Sequence, residues 1–228
     1  FSVSTKFEYL KDLNFGLGTS SFYEDIETDS TASARQKKMD GSYWDTFVQL
    51  NLDYDKRNQK FKPSDGFRSY YGIEIPIISE TNTLSNIFDY KFYTELYDQN
   101  ITSLSFFAKT STSITNEDIK LTERNFLPSS KLRGFTAGGI GPKDGNDFIG
   151  GNYAASINLN SNLPQLMSEN QNIDFLIFLD VANVWGVDYD NSLEKNNKIR
   201  SSAGIGVDWF TPIGPLNFTL SQPISKAD

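Results

Sequence analysis

A chain of 228 residues with a formal charge of −8 and a pI near 4.7 is a poor match for nucleic acid, whose phosphates are neutralised by clustered Lys and Arg. Cysteine and histidine are both absent, which excludes a disulfide framework, thiolate metal sites and most Ser or Cys hydrolase mechanisms, and fits an oxidising compartment. No run approaches the roughly 20 apolar residues of a spanning helix, but low hydropathy says nothing against a transmembrane β-barrel, in which only alternate residues face lipid.

The opening Phe1-Ser2-Val3-Ser4-Thr5 has no basic segment leading into an apolar core, so no leader is expected and the chain reads as starting within a longer protein. Two-residue alternation predicts strands near 1–9, 13–23, 42–55, 66–77, 88–98, 101–111, 151–161, 172–186, 199–210 and 214–223. Between Trp44 and Tyr54 the even positions carry Trp44, Val48, Leu50 and Leu52, and the odd ones Asp45, Gln49, Asn51 and Asp53. From Phe88 to Leu96, Phe88, Tyr90, Phe92 and Leu96 alternate with Asp89, Lys91 and Glu95. Such strands, mostly about 9–13 residues long, suit a tilted bilayer crossing better than the usual five or six.

Tyr9, Tyr43, Trp44, Tyr54, Tyr70, Tyr71, Tyr97, Trp185 and Trp209 fall at strand ends, where an aromatic girdle meets the headgroups. Short links at 10–12, 99–100 and 211–214 interleave with longer ones at 25–41, 78–87, 112–150 and 187–198, the asymmetry of an outer-membrane meander with its short turns in the periplasm. A soluble β-sandwich would expose large apolar stripes. The reading is therefore all-β: an incomplete antiparallel transmembrane β-barrel of about ten strands.

The longest link carries Leu132-Arg133-Gly134-Phe135, then Gly138, Gly139 and Gly141, and closes on Gly150-Gly151. A basic residue set among glycines in a long loop suggests a loop built to reach a carboxylate. The stretch Ala137 to Lys143 lacks the Gly-Lys-Ser/Thr of a phosphate loop and no helix pattern follows; its glycines are better read as shaping the loop. Asp188-Tyr189-Asp190-Asn191-Ser192 has oxygens at alternate spacing without the rest of a calcium loop and reads as an exposed connection. Gly204 and Gly206 share a face with Arg200, Ser202 and Asp208, either relieving crowding or making room for the inserted loop. Asp89 and Glu95 read as wetted interior.

Taken together, Leu132-Arg133-Gly134-Phe135 with Ile140-Gly141-Pro142-Lys143, Gly150-Gly151-Asn152, Phe178 to Trp185, Ile199 to Gly204, Phe210 to Leu216 and, upstream, Phe61-Lys62-Pro63-Ser64-Asp65-Gly66 resemble the C-terminal barrel of the outer-membrane β-barrel assembly factors, the bacterial surface antigen family. Order and spacing hold over about residues 50–224. The resemblance implies a parent with about sixteen strands preceded by periplasmic polypeptide-binding repeats. Residues 1–228 are then expected to be one partial barrel lacking the repeats, the early strands and the closing strand.

Function follows from the same resemblance: insertion and assembly of β-barrel proteins in the bacterial outer membrane, without catalysis or cofactor. The implied partners are outer-membrane lipid, unfolded β-barrel clients and accessory lipoproteins, with no nucleic acid. A related polypeptide-translocating barrel and a passive outer-membrane pore are the alternatives. The resemblance also implies that residues 112–150 fold into the lumen, where Arg133 meets acidic groups of the inner wall. By position one partner is Asp180, which alternation separately assigns to the face opposite Ile173, Phe175, Ile177 and Leu179. The other is Asn160, an acceptor without charge where the family has an acid, so Asp180 carries the charge alone.

Overall fold

The computed structural model describes residues 1–166, 172–188, 192–193 and 197–225. Ten long antiparallel strands form one sheet: β1 (Ser2–Leu10), β2 (Leu13–Ile26), β3 (Gly41–Asp55), β4 (Gly66–Ile78), β5 (Thr83–Tyr97), β6 (Asn100–Ser113), β9 (Tyr153–Asn162), β10 (Ile173–Trp185), β11 (Arg200–Thr211) and β12 (Gly214–Ser225). They neighbour one another in chain order, and a small separate hairpin, β7 (Lys143–Asp144) and β8 (Asp147–Phe148), is inserted between β6 and β9. Among the described residues β1 and β12 each pair on one side only, so the sheet is not closed.

Strand lengths of 9 to 15 residues reach or exceed the roughly 9–11 that a tilted strand needs to cross the hydrocarbon layer. Alternation sets the two faces. Ile177 and Leu179 on β10 and Phe92 on β5 are well exposed, whereas Asp45 and Asp180 are fully buried. Val48, Leu50, Ile173 and Phe175 lie on the first of these faces and Asp89, Glu95 and Asp174 on the second. A one-residue slip would turn every carboxylate outward. Spin labels at Leu179 and at Asp180 should therefore report opposite accessibility to a lipid-soluble and a water-soluble relaxant; equal accessibility would refute the facing.

Three details differ from the sequence reading. β5 begins at Thr83, so the connection expected over 78–87 shrinks to residues 79–82. Ser85 and Asn86 disguise the strand's head, yet Asn86 Oδ1 accepts from the Tyr71 hydroxyl at 2.7 Å and the ladder to β6 runs from Thr83 onward. Tyr43 and Tyr70 do not join the girdle: their positions alternate with the lipid-facing ones, Tyr43 donating to the Met39 carbonyl at 3.0 Å and Tyr70 standing in register between Asp53 and Asp89. On the short-turn end, the links 56–65 and 163–172 each run to ten residues.

Two of the tight turns on that end share a device. The Asp12 N–H donates to Glu8 Oε1 at 2.9 Å and the Gln99 N–H to Glu95 Oε1 at 2.6 Å. Glu95 is thus a turn brace, not just wetted interior. Pro76 and Pro223, unable to donate to a ladder, both stand beside register shifts.

The link after β3 shows that the sheet curls. Lys62 Nζ lies 2.8 Å from Asp174 Oδ2 on β10 and 3.8 Å from the Phe210 ring centroid on β11, and Phe61 packs edge-on against Phe210. Along the sheet β4 and β10 are four strand spacings apart, roughly 19 Å at about 4.8 Å each. The link reaches across the inner face instead, bounding a cavity of about 780 Å³ whose walls include Lys62, Lys91, Arg133, Asn160, Asp174 and Asp208.

Candidate functional site

The connection from β6 to β9, residues 114–152, lies on the inner face. It holds two short 3₁₀ turns, Leu121–Glu123 and Ser129–Lys131, and the β7–β8 hairpin. Apolar packing seats it: Leu127, Leu132 and Ile140 from the connection form one buried cluster with Phe107, Ala154, Ala182 and Val184 from β6, β9 and β10, and Phe135 packs against it. The alanines keep the wall low enough for the connection to lie close.

Arg133 is brought to Asp180. Its Nε–H donates to Asp180 Oδ2 at 2.7 Å, Nη2–H donates to Oδ1 at 2.6 Å, and the backbone N–H donates to Oδ2 at 3.0 Å. The planar guanidinium fork matches the two carboxylate oxygens, a geometry that an ammonium does not reproduce. Nη2–H also donates to Asn160 Oδ1 at 2.8 Å. Asp180 is fully buried and accepts a further bond from Asn158 Nδ2 at 2.8 Å. Four donors thus converge on one carboxylate. Below the guanidinium lies Phe178, its ring centroid 3.6 Å from Cζ, close enough for a cation–π contact.

Asn158 and Phe178 were not singled out from sequence, although both have a signal there. Each shares the parity of Asp180 or Asn160, and an aromatic ring on an otherwise polar face asks for a reason. Asn158 also donates to the Lys131 carbonyl at 2.9 Å, tying wall to connection. Lys131 Nζ in turn lies 2.6 Å from Asp89 Oδ2, so Asp89 is a partner of the connection as well as a lumenal carboxylate.

The glycines divide by role. Gly134 has φ +85°, and an added Cβ would lie 2.8 Å from the Ser221 hydroxyl on β12. At Gly151 a Cβ would come within 2.5 Å of the Trp185 carbonyl oxygen, and its backbone bridges that of Asn125. Gly138, Gly141 and Gly150 also have positive φ, and Gly139 sits in the turn closed by the Thr136 carbonyl. Gly204 makes room for the Phe178 ring, and Gly206 for Leu176. The atoms nearest to a Cβ at 204 belong to Leu220 and Phe178, so its effect on Arg133 runs through Phe178.

A second polar cluster lies at the start of the connection. Lys120 contacts Asp45 and Glu24, and Arg124 Nη2 lies 2.5 Å from Asp188 Oδ1. Burial pushes the Glu123 carboxyl above its usual range, against the pull of the Thr83 hydroxyl and of Lys120. Burial alone would lower Lys120, but its hydrogen bonds to Asp45 and Glu24 outweigh that and hold it above its ordinary value. Burial also raises Asp118, with the Asp188 charge adding to it. Of the stretch 188–192, Tyr189, Asp190 and Asn191 lie outside the described residues. Among the described residues no group of three His, Cys, Asp or Glu side chains is placed to hold a metal ion.

The chain is 25% identical over 229 residues to the outer membrane protein assembly factor BamA of Neorickettsia risticii, covering 97% of this chain and 30% of that protein. It is 22% identical over 214 residues to the BamA of Nitratidesulfovibrio vulgaris, covering 90% of this chain and 26% of that protein. The chain therefore spans less than a third of either relative. The crystal structure of BamA from Haemophilus ducreyi lacking POTRA domains 1–3 superposes with a TM-score of 0.85 at 21% identity, covering 99% of this chain and 50% of that one. The profile of the Omp85 superfamily domain matches residues 1–228, end to end. The chain belongs to the Omp85 superfamily of bacterial outer-membrane proteins.

Proposed function

We propose that residues 1–228 are part of the barrel of a longer outer-membrane protein that inserts and assembles other β-barrel proteins. The parent would carry N-terminal periplasmic repeats and the remaining barrel strands, and it would act without catalysis or cofactor. Its partners would be outer-membrane lipid, unfolded β-barrel clients and accessory lipoproteins. The observation that carries the reading is the Arg133 contact: a guanidinium and two further donors, one from the connection and one from the wall, are spent on one buried carboxylate, Asp180.

A passive pore has no use for such a contact. The connection and its apolar cluster occupy the inner face, where a pore keeps water. In an assembly factor, the locked Arg-Gly-Phe segment would stiffen the wall of β6, β9 and β10 while strand edges elsewhere in the barrel pair with an incoming client by β-augmentation.

The test is reconstitution of the full-length parent in lipid vesicles with a urea-unfolded outer-membrane protein as client. An increase in the rate at which the client acquires its heat-modifiable, protease-resistant form supports assembly. Ion conductance without acceleration would favour the pore. Passage of the client into the vesicle lumen without insertion would favour the translocating barrel.

A further inference from the structure

The connection 114–152 has a second charged contact, built differently from the first. Lys120 lies 13 residues before Arg133 and has 1% of its surface exposed. Ammonium groups are seldom buried to that degree unless paired, because desolvation outweighs a single weak contact. Nζ donates to Asp45, which is itself fully buried, and to Glu24 Oε1 at 2.7 Å. It also lies 3.8 Å from Glu123 Oε1 and 4.5 Å from the Tyr43 ring centroid. Glu24 is on β2, Asp45 and Tyr43 are on β3, and Glu123 accepts through Oε2 from Thr81 in the link before β5 and from Thr83 at the head of β5.

One ammonium therefore faces three carboxylates. Asp45 Oδ1 and Glu123 Oε1 are buried without a hydrogen-bond partner, so the socket has more acceptor than donor capacity. It holds its cation by charge and burial, where the Arg133 site relies on a directional fork. β3 and β9 are four strand spacings apart in the sheet, about 19 Å along it. The connection thus touches two walls that do not touch each other.

We propose that Lys120 is a positioning residue: it seats the entry of the connection on β2 and β3 as Arg133 seats its tip on β9 and β10, making the connection a tie across the barrel interior. This deepens the reading of residues 114–152 as a lumenal brace and rests on it. Removing the ammonium alone leaves three carboxylates facing one another, so the single variant can fail for repulsion and not for lost positioning. Lys120→Met combined with Asp45→Asn and Glu24→Gln removes the anchor and two of the three carboxylates, leaving Glu123 with its Thr81 and Thr83 donors.

The measurement is pulsed electron-electron distance spectroscopy on the full-length parent in vesicles, with spin labels on introduced cysteines; residues 1–228 contain no native cysteine to compete. One pair, Thr122 with Val48, reads the entry against β3. The other, Ser130 with Leu179, reads the tip against β10. In the triple variant the first distance distribution should broaden at least twofold while the second stays narrow, and Arg133→Ala should do the reverse. A triple variant with both distributions as in the parent would overturn the proposal, as would one in which both broaden equally. Neither reading depends on client assembly, so a parent that fails to assemble clients but shows this split would refute the proposed function and leave the tie standing.

Discussion

Replacing Asp180 with Asn should cost about 3–5 kcal/mol of stability, the usual result of removing one partner from a buried charge pair. The amide is a near-perfect isostere, yet it cannot serve. The donors reach both oxygens, Arg133 Nε–H and N–H on Oδ2 and Arg133 Nη2–H and Asn158 Nδ2–H on Oδ1. Either orientation of an Asn side chain therefore sets its own N–H donors against two others. Arg133→Ala should lose a similar amount, because it leaves a fully buried carboxylate with the Asn158 donor as its remaining side-chain partner. Asn160→Ala removes only one neutral acceptor and should cost about 1 kcal/mol. Urea unfolding of the full-length parent, followed by protease access to residues 114–152, reads all three. An Asp180→Asn variant as stable and as protected as the parent would show that the carboxylate is not what holds the connection.

Gly204→Ala should be among the most damaging single-methyl changes in the sheet. A Cβ at that position would lie 2.2 Å from the Leu220 carbonyl oxygen and 2.5 Å from the Phe178 ring. The first contact is with backbone and can be relieved only by moving β12 away from β11. The second pushes the ring toward the Arg133 guanidinium, 3.6 Å from its centroid. Overpacking of this kind costs about 1–3 kcal/mol, and here it falls on two interactions at once. Adding Phe178→Leu should restore part of the loss by freeing the ring's space, leaving the strain at Leu220. If Gly204→Ala alone unfolds in urea like the parent, the ring is not confined as described.

The sheet was legible because lipid and lumen demand opposite residues at alternate positions, as in Trp44 to Tyr54. Where the outward face carries polar groups, as at Asn86, the signal faded and the head of β5 was lost. Tyr43 and Tyr70 were misassigned for the converse reason: an aromatic near a strand end looks like a girdle until parity is checked against Asp45 and Asp89. Arg133 and Asp180 stood out through a motif and through parity. Lys120 had neither. Nothing in Asp118-Ile119-Lys120 distinguishes it from a solvated loop lysine, since its partners Glu24 and Asp45 lie 96 and 75 residues away. The Lys62 contact with Asp174 and Phe210 was hidden in the same way, because only the curl of the sheet brings a turn of one hairpin to strands four and five spacings distant.

The most direct test of the account is a double-mutant cycle in client assembly, using the full-length parent as wild type, Arg133→Ala, Asp180→Asn and the pair together. If one interaction holds the connection in place for assembly, either substitution removes it and the double variant should assemble an unfolded outer-membrane client at the same reduced rate as the worse single variant. Losses that add, with the double variant slower than either single by the product of the two factors, would mean that Arg133 and Asp180 act separately and would contradict the account.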